Sequence, residues 1–196
     1  MHTKIHLYQL QANLNRFTSV VQIYLGRRKF FLPAIESFGC IPYQISKAMI
    51  PPGQCDSYIN NIVVLFNNLL RPLVDQLNTE YTYSIFVYGD TYNLFNELIA
   101  DPNSYGKNLE VNVLNLYFNI GIMRLWVHVS DTACCGIGRN KAQINCLSMA
   151  NPCPNRDQYV FWDPFHPTQV VGKIMASKAF NGPLFVCYPI NVVQMT

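Results

Sequence analysis

Apolar residues recur along this chain with periods that alternate between helix-like and strand-like. Leu7, Leu10, Leu14, Phe17, Val21 and Tyr24 are spaced alternately three and four apart, which puts them on one helical face, and Gly26 is a natural stop. Lys29 to Ile35 then reads as a short buried strand of the continuous apolar kind, with Pro33 weakening its far end. Phe38 to Pro52 is rich in Gly and Pro and reads as a loop. A second helix is expected from Ser57 to about Leu77, burying Ile59, Ile62, Val63, Phe66, Leu69, Leu70, Leu73 and Leu77, with Pro72 kinking it or beginning a new turn. Ser84 to Tyr88 reads as a strand and Asn93 to Ala100 as a short helix. A last helix is expected over Gln169 to Lys178, packing through Val170, Val171, Ile174 and Met175. Strands alternating with helices argue for an α/β layered domain. Two convincing strands are nevertheless fewer than a complete doubly wound sheet needs.

Composition narrows the class. Of 196 residues half are hydrophobic and only 13% charged, which excludes disorder and suits one domain or part of one. The net charge of +3 comes with no Lys/Arg cluster, so a nucleic-acid partner is not expected. Lys107 to Ser130 is apolar without clean periodicity. Asn119 and Arg124 interrupt it, so it is too short for the roughly 20 residues a transmembrane helix needs.

Cysteines stand at 40, 55, 134, 135, 146, 153 and 187, without a Cys-x-x-Cys or a Cys/His ladder, so no metal site is expected. Disulfides are the better use for them, in an oxidising compartment. Cys40 and Cys55 close a short loop and could pair. Cys134, Cys135, Cys146 and Cys153 could form two bridges whose connectivity stays open, leaving Cys187 over. His2 and His6 have helical metal-pair spacing, but a chain terminus without a third ligand favours solvated histidines.

The chemistry concentrates in Tyr159-Val160-Phe161-Trp162-Asp163-Pro164-Phe165-His166-Pro167-Thr168. An imidazole that moves protons needs a partner to fix its tautomer and stabilise its cation, and a carboxylate does both. Asp163 stands three residues before His166, in a turn stiffened by Pro164 and Pro167.

This block resembles the last motif of the plant GDSL esterase/lipases, a branch of the SGNH hydrolases. Ala133-Cys134-Cys135-Gly136-Ile137-Gly138 is similar to the family's Ala-Cys-Cys-Gly-x-Gly segment. Cys146, Cys153, Asn155-Arg156-Asp157 and Tyr159 also fall where its pattern puts them. Upstream, Gly26-Arg27-Arg28-Lys29-Phe30 resembles Gly-Ala-Arg-Lys-Phe, and Phe38-Gly39-Cys40-Ile41-Pro42 resembles Leu-Gly-Cys-x-Pro. Tyr188-Pro189-Ile190-Asn191 looks like the family's closing residues. The resemblance implies a partial SGNH-hydrolase-like three-layer α/β/α domain with a parallel sheet, over residues 1–196, its N-terminal strands missing. It further implies a Ser-His-Asp ester hydrolase acting on small-molecule or lipid acyl esters without a cofactor, with His166 and Asp163 as the catalytic pair. It also implies secretion, yet Met1 to His6 is not followed by the apolar run of a signal peptide, so the beginning of the protein is expected to be missing.

Two departures qualify that picture. The family's nucleophile lies in a Gly-Asp-Ser near its N-terminus. Gly89-Asp90-Thr91 instead matches a later strand reading Val-Tyr-x-Asp-x-Tyr, in which Asp90 and Tyr92 are expected to be structural, Asp90 as a helix cap. Ser46, Ser57, Ser104 and Ser148 carry no nucleophile signature, and a thiol dyad from Cys134 or Cys135 competes with their use in disulfides. No nucleophile and no oxyanion-hole residue is therefore assigned, and the chain is expected to be inactive alone. The second departure is Lys107 to Ser130, which matches nothing in the family and is either a translated intron or a surface insertion. The alternative to an ester hydrolase is an inactive truncated or mis-spliced fragment, at most a binding module.

Overall fold

The computed structural model of the chain describes residues 22–47, 50, 51, 53–102 and 127–196. In chain order its regular elements are β1 (Lys29–Pro33), α1 (Pro42–Lys47), α2 (Ser57–Glu80), β2 (Ile85–Gly89), α3 (Thr91–Ala100), β3 (Val129–Ala133), β4 (Tyr159–Phe161), α4 (Gln169–Asn181) and β5 (Cys187–Tyr188). Single 3-10 turns at Phe38–Cys40, Arg139–Lys141, Arg156–Gln158 and Val192–Met195 join them. The helix expected over Leu7 to Tyr24, the histidines at 2 and 6 and the apolar stretch up to Trp126 lie outside the described residues, apart from the helix's last turn. That turn ends at Gly26, whose φ of +82° is reached cheaply only by a residue without a Cβ. The class is α/β, as the alternation of periods implied, and the expected parallel pairing is joined by one antiparallel pair. The chain divides into two compact units, one of residues 1–35, 61–91 and 178–196, the other of residues 36–60 and 92–177.

The first unit is built on a three-stranded sheet in the order β1-β2-β5. β2 is central, parallel to β1 from Lys29↔Ile85 to Pro33↔Gly89 and antiparallel to β5 at Tyr88↔Tyr188. A central strand is covered on both faces, and Phe86 and Val87 are fully buried. β1 lies at the edge, so its residues are mostly exposed and only Leu32 is buried, where a fully buried strand was expected. Pro33, which cannot donate to a ladder, is tolerated at an edge for the same reason. Gly89 ends β2 under the Phe31 ring, which would stand 2.3 Å from any Cβ there.

Helix α2 contributes two asparagines as surrogate strand partners in this unit. The Asn67 amide accepts from Ile35 N–H and donates to Ile35 C=O, both at 2.8 Å. The Asn78 amide does the same for Phe86, at 2.9 and 2.8 Å. The helix buries Val63, Asn67, Leu70, Leu73, Val74 and Leu77, leaving Ile59, Ile62, Phe66 and Leu69 at the margins of the stripe. Pro72 sits inside one continuous helix instead of ending it. It lies on the exposed side, as does Asn68 one turn earlier, so the carbonyl that loses its amide partner faces solvent.

The second unit holds the parallel pair β3 and β4, in register at Val129↔Tyr159 and Ala133↔Phe161 with an irregularity between. Neither strand was expected; one is five residues long and the other three. Their core gathers Ile41, Phe95, Leu98, Val127, Val160, Phe161, Val170, Val171 and Ile174. Val127 is fully buried and Val129 opens β3, so the end of the stretch from Lys107 to Ser130 belongs to this core. Within the segment expected to be a loop, Pro42 starts α1 at the first helical position, where a missing N–H costs nothing. Asp56 caps α2, its carboxylate accepting from Ile59 N–H at 3.1 Å.

Candidate active site

Strand β4 delivers Trp162, and the chain then folds back on itself so that Phe161 bridges Pro167 and Trp162 N–H donates to His166 C=O at 2.8 Å. Asp163 closes this turn from inside. Its Oδ1 accepts from the backbone N–H groups of Phe165 and His166, both at 2.8 Å. The His166 Nδ1 lies 2.8 Å from Oδ2 and 3.0 Å from Oδ1. A carboxylate can only accept, so in the neutral ring the proton belongs on Nδ1 and Nε2 keeps its lone pair. The His166 side chain is 73% exposed, so that lone pair faces outward, whereas the Asp163 side chain is 20% exposed.

Burial pushes the Asp163 carboxyl pKa up, but the Phe165 N–H, the His166 ring, the His166 N–H and the imidazolium charge together outweigh it. Asp163 is held below the usual carboxylate range. It is thus an anion aimed at Nδ1, the arrangement that orients an imidazole and stabilises it once Nε2 has taken a proton.

The turn is tied to its surroundings by contacts that sequence reasoning did not single out. Cys134 N–H and Cys135 N–H donate to Phe161 and Trp162 carbonyls at 3.0 and 2.8 Å. Tyr43 N–H donates to Pro164 C=O at 3.1 Å, and the Tyr43 and Phe165 rings meet at 4.6 Å between centroids. Thr168 is buried, its hydroxyl donating to Tyr159 C=O at 2.8 Å while its carbonyl accepts from Gly172 N–H to start α4. A Thr immediately before a helical apolar pattern was the legible signal for that residue.

The cysteines fall into three disulfides, Cys40–Cys55, Cys134–Cys153 and Cys135–Cys146. That leaves neither Cys134 nor Cys135 as a thiol. Cys187 is free but buried, its thiol donating to Ala179 C=O at 3.4 Å, and burial raises its pKa, so it is an inert thiol. The Thr91 hydroxyl donates to Ala34 C=O. Asp90 hydrogen-bonds the Tyr88 side chain, and its own N–H donates to Val186 C=O. A cavity of about 520 Å³ lies between α1, α3 and the Cys40–Cys55 bridge, with Ile45, Ile99, Ser130 and Asp131 in its wall. Neither Asp163 nor His166 lines it. Among the described residues no three His, Cys, Asp or Glu side chains gather in a way that could hold a metal ion. No described helix is long and apolar enough to cross a membrane.

Residues 4–179 match the model of the GDSL-like Lipase/Acylhydrolase family. The chain belongs to that family. Among curated GDSL proteins of Arabidopsis thaliana, GDSL esterase/lipase At1g71250 is 45% identical over 172 residues, covering 88% of this chain and 41% of the relative. GDSL esterase/lipase At5g08460 is 39% identical over 188 residues, covering 93% and 44%. GDSL esterase/lipase 7 is 37% identical over 174 residues, covering 87% and 42%. The chain therefore spans less than half the length of the GDSL relatives it matches.

Proposed function

We propose that this chain carries the proton-transfer arm of a GDSL-type carboxylester hydrolase, with His166 as general base and acid and Asp163 as the group that orients it. The observation that supports the reading is the 2.8 Å contact from Nδ1 to Oδ2, in a turn that leaves Nε2 outward. In the reaction, Nε2 takes the proton of a serine hydroxyl as its oxygen bonds to the ester carbonyl carbon. It returns that proton to the alcohol oxygen as the tetrahedral adduct collapses, giving an acyl-serine and free alcohol. Water, activated by the same Nε2, then releases the acid. The substrate is an acyl ester, and the chemistry requires no cofactor. Three disulfides suit an oxidising compartment, so we assign the protein to the secretory route.

The serine and the oxyanion-hole donors are assigned to segments other than the described residues. Among those residues no hydroxyl or thiol hydrogen-bonds Nε2, which also favours a second reading, a fragment without turnover. One experiment separates the two. The purified chain is assayed on p-nitrophenyl butyrate, alone and fused behind the N-terminal portion of GDSL esterase/lipase At1g71250. The chain alone is expected to show no turnover and the fusion to be active, with His166→Ala lowering kcat by about 10³-fold or more. A fusion that folds but stays inactive sinks the enzyme reading, and one that ignores the His166 substitution sinks the assignment of the base.

A further inference from the structure

The Asp163–His166 turn makes no use of the cavity between α1, α3 and the Cys40–Cys55 bridge. At about 520 Å³ the cavity holds a small organic molecule and not only water. Two elements bring residues into its wall by local geometry. Asn96, Ile99 and Ala100 are spaced i, i+3 and i+4, so they share one face of α3, beside the face on which Leu94, Phe95 and Leu98 are buried. Ser130 and Asp131 are consecutive in β3, and a regular strand would turn them to opposite sides. Val129 to Ala133 is four steps along β3 but pairs with only two along β4, Tyr159 to Phe161. A bulge of this kind re-aims side chains, and both residues lie in the wall.

The chemistry of the wall says what would fill it. Asp131 is its one charged residue. The Thr132 hydroxyl donates to Asp131 Oδ1 at 2.9 Å, and among the described residues no cation pairs with the carboxylate. Gln54, Asn96 and Ser130 add two carboxamides and a hydroxyl, and among the described residues none of these side chains has a hydrogen-bond partner. Ile45, Ile99, Ala100 and the Cys40–Cys55 bridge supply the apolar part. A carboxylate without a counter-ion attracts an ammonium group, and three neutral oxygens can accept the protons it has left. An anion would meet Asp131 with no cation in the wall to offset it. The apolar part suits an aliphatic stem behind the charged head.

We propose that this cavity binds a small aliphatic amine in its ammonium form, with Asp131 holding the charge. The site stands apart from the proposed chemistry, since neither Asp163 nor His166 lines it. It does not depend on the ester-hydrolase reading, because its readout is binding and not turnover.

The test is calorimetric titration of the purified, oxidised chain at pH 7 with hexylammonium, hexanol and hexanoate, which share a stem and differ in the charge of the head. Hexylammonium is expected to saturate one site, with hexanol about fivefold or more weaker and hexanoate not bound. Propylammonium, three methylenes shorter, should bind about tenfold or more weakly than hexylammonium. Asp131→Asn, checked by mass for three intact disulfides, should lower the affinity for hexylammonium about fivefold or more and leave that for hexanol unchanged. Glu80→Gln, which removes an exposed carboxylate outside the cavity, should change neither. N-acetyl-lysine methylamide carries the same head on a peptide and should bind more weakly than hexylammonium. No saturable binding of hexylammonium, hexanol or propylammonium binding as tightly, or an Asp131→Asn chain that binds like the parent overturns the proposal. So does tighter binding of the lysine derivative, which would make the ligand a protein side chain.

Discussion

Replacing Asp163 separates its two tasks, holding the turn and orienting the ring. Asp163→Ala removes the acceptor of two backbone N–H groups, both at 2.8 Å, together with the Nδ1 partner. Bonds to a charged acceptor are worth roughly 1.5–3 kcal/mol each, but the site is partly open and water can replace the bond to His166 N–H. A loss of about 2 kcal/mol is expected, read as a lower urea midpoint at unchanged slope. Asp163→Asn keeps an oxygen for both N–H groups and should cost about 1 kcal/mol or less, since a neutral acceptor is weaker than a charged one. Its NH₂, however, faces Nδ1 where an acceptor stood, so the neutral ring must flip to the Nε2–H tautomer, which nitrogen-15 shifts report directly. The pH dependence has a fixed sign. Asp163 is held below the roughly 3.9 of an unfolded aspartate, so the unfolded chain binds the proton first on acidification. Its contribution is complete above about pH 4 and is lost as pH falls further, and the gap between parent and variants should close there. An Asn variant that keeps Nδ1–H, or an Ala variant as stable as the parent at neutral pH, refutes the reasoning.

Two other perturbations test the frame around the site. Burial and the neighbouring Asp90 push the Tyr88 hydroxyl up to about 12, so the folded state keeps this proton after the unfolded chain has lost its own. Stability should fall as pH rises from about 10 to about 12, with Tyr88 among the late tyrosines of the ultraviolet titration, since Asp75 also holds the Tyr188 hydroxyl up, and Tyr88→Phe should remove the Tyr88 share of both. Opening the Cys40–Cys55 bridge, which closes a separation of 15 residues, should cost about 3 kcal/mol in urea unfolding. A loss below about 1 kcal/mol would mean that the unfolded chain is little constrained by it.

The long helices were legible because their stripes follow one period: α2 and α4 begin at the expected residues and run only three residues further. What escaped was set by tertiary partners. β4 has three residues and β5 two, too few for any periodicity to register, and each exists only because a neighbour supplies its ladder. Asn67 was invisible as a core residue because its burial depends on the Ile35 backbone it serves. Pro42 was read as part of a loop although Pro at a first helical position is itself a start signal. The Asp163–His166 contact could be inferred because both groups belong to one turn. The residues that brace it, Tyr43 above all, come from elsewhere in the chain and leave no local pattern.

That turn has an evolutionary consequence. An imidazole and a carboxylate three positions apart are inherited together, so a splice form or cleavage product that retains this turn and the residues bracing it retains their contact. Groups scattered over distant loops part when a gene is cut; here the two travel as one cassette. A well-formed Asp–His contact can therefore outlast rearrangement of the segments around it.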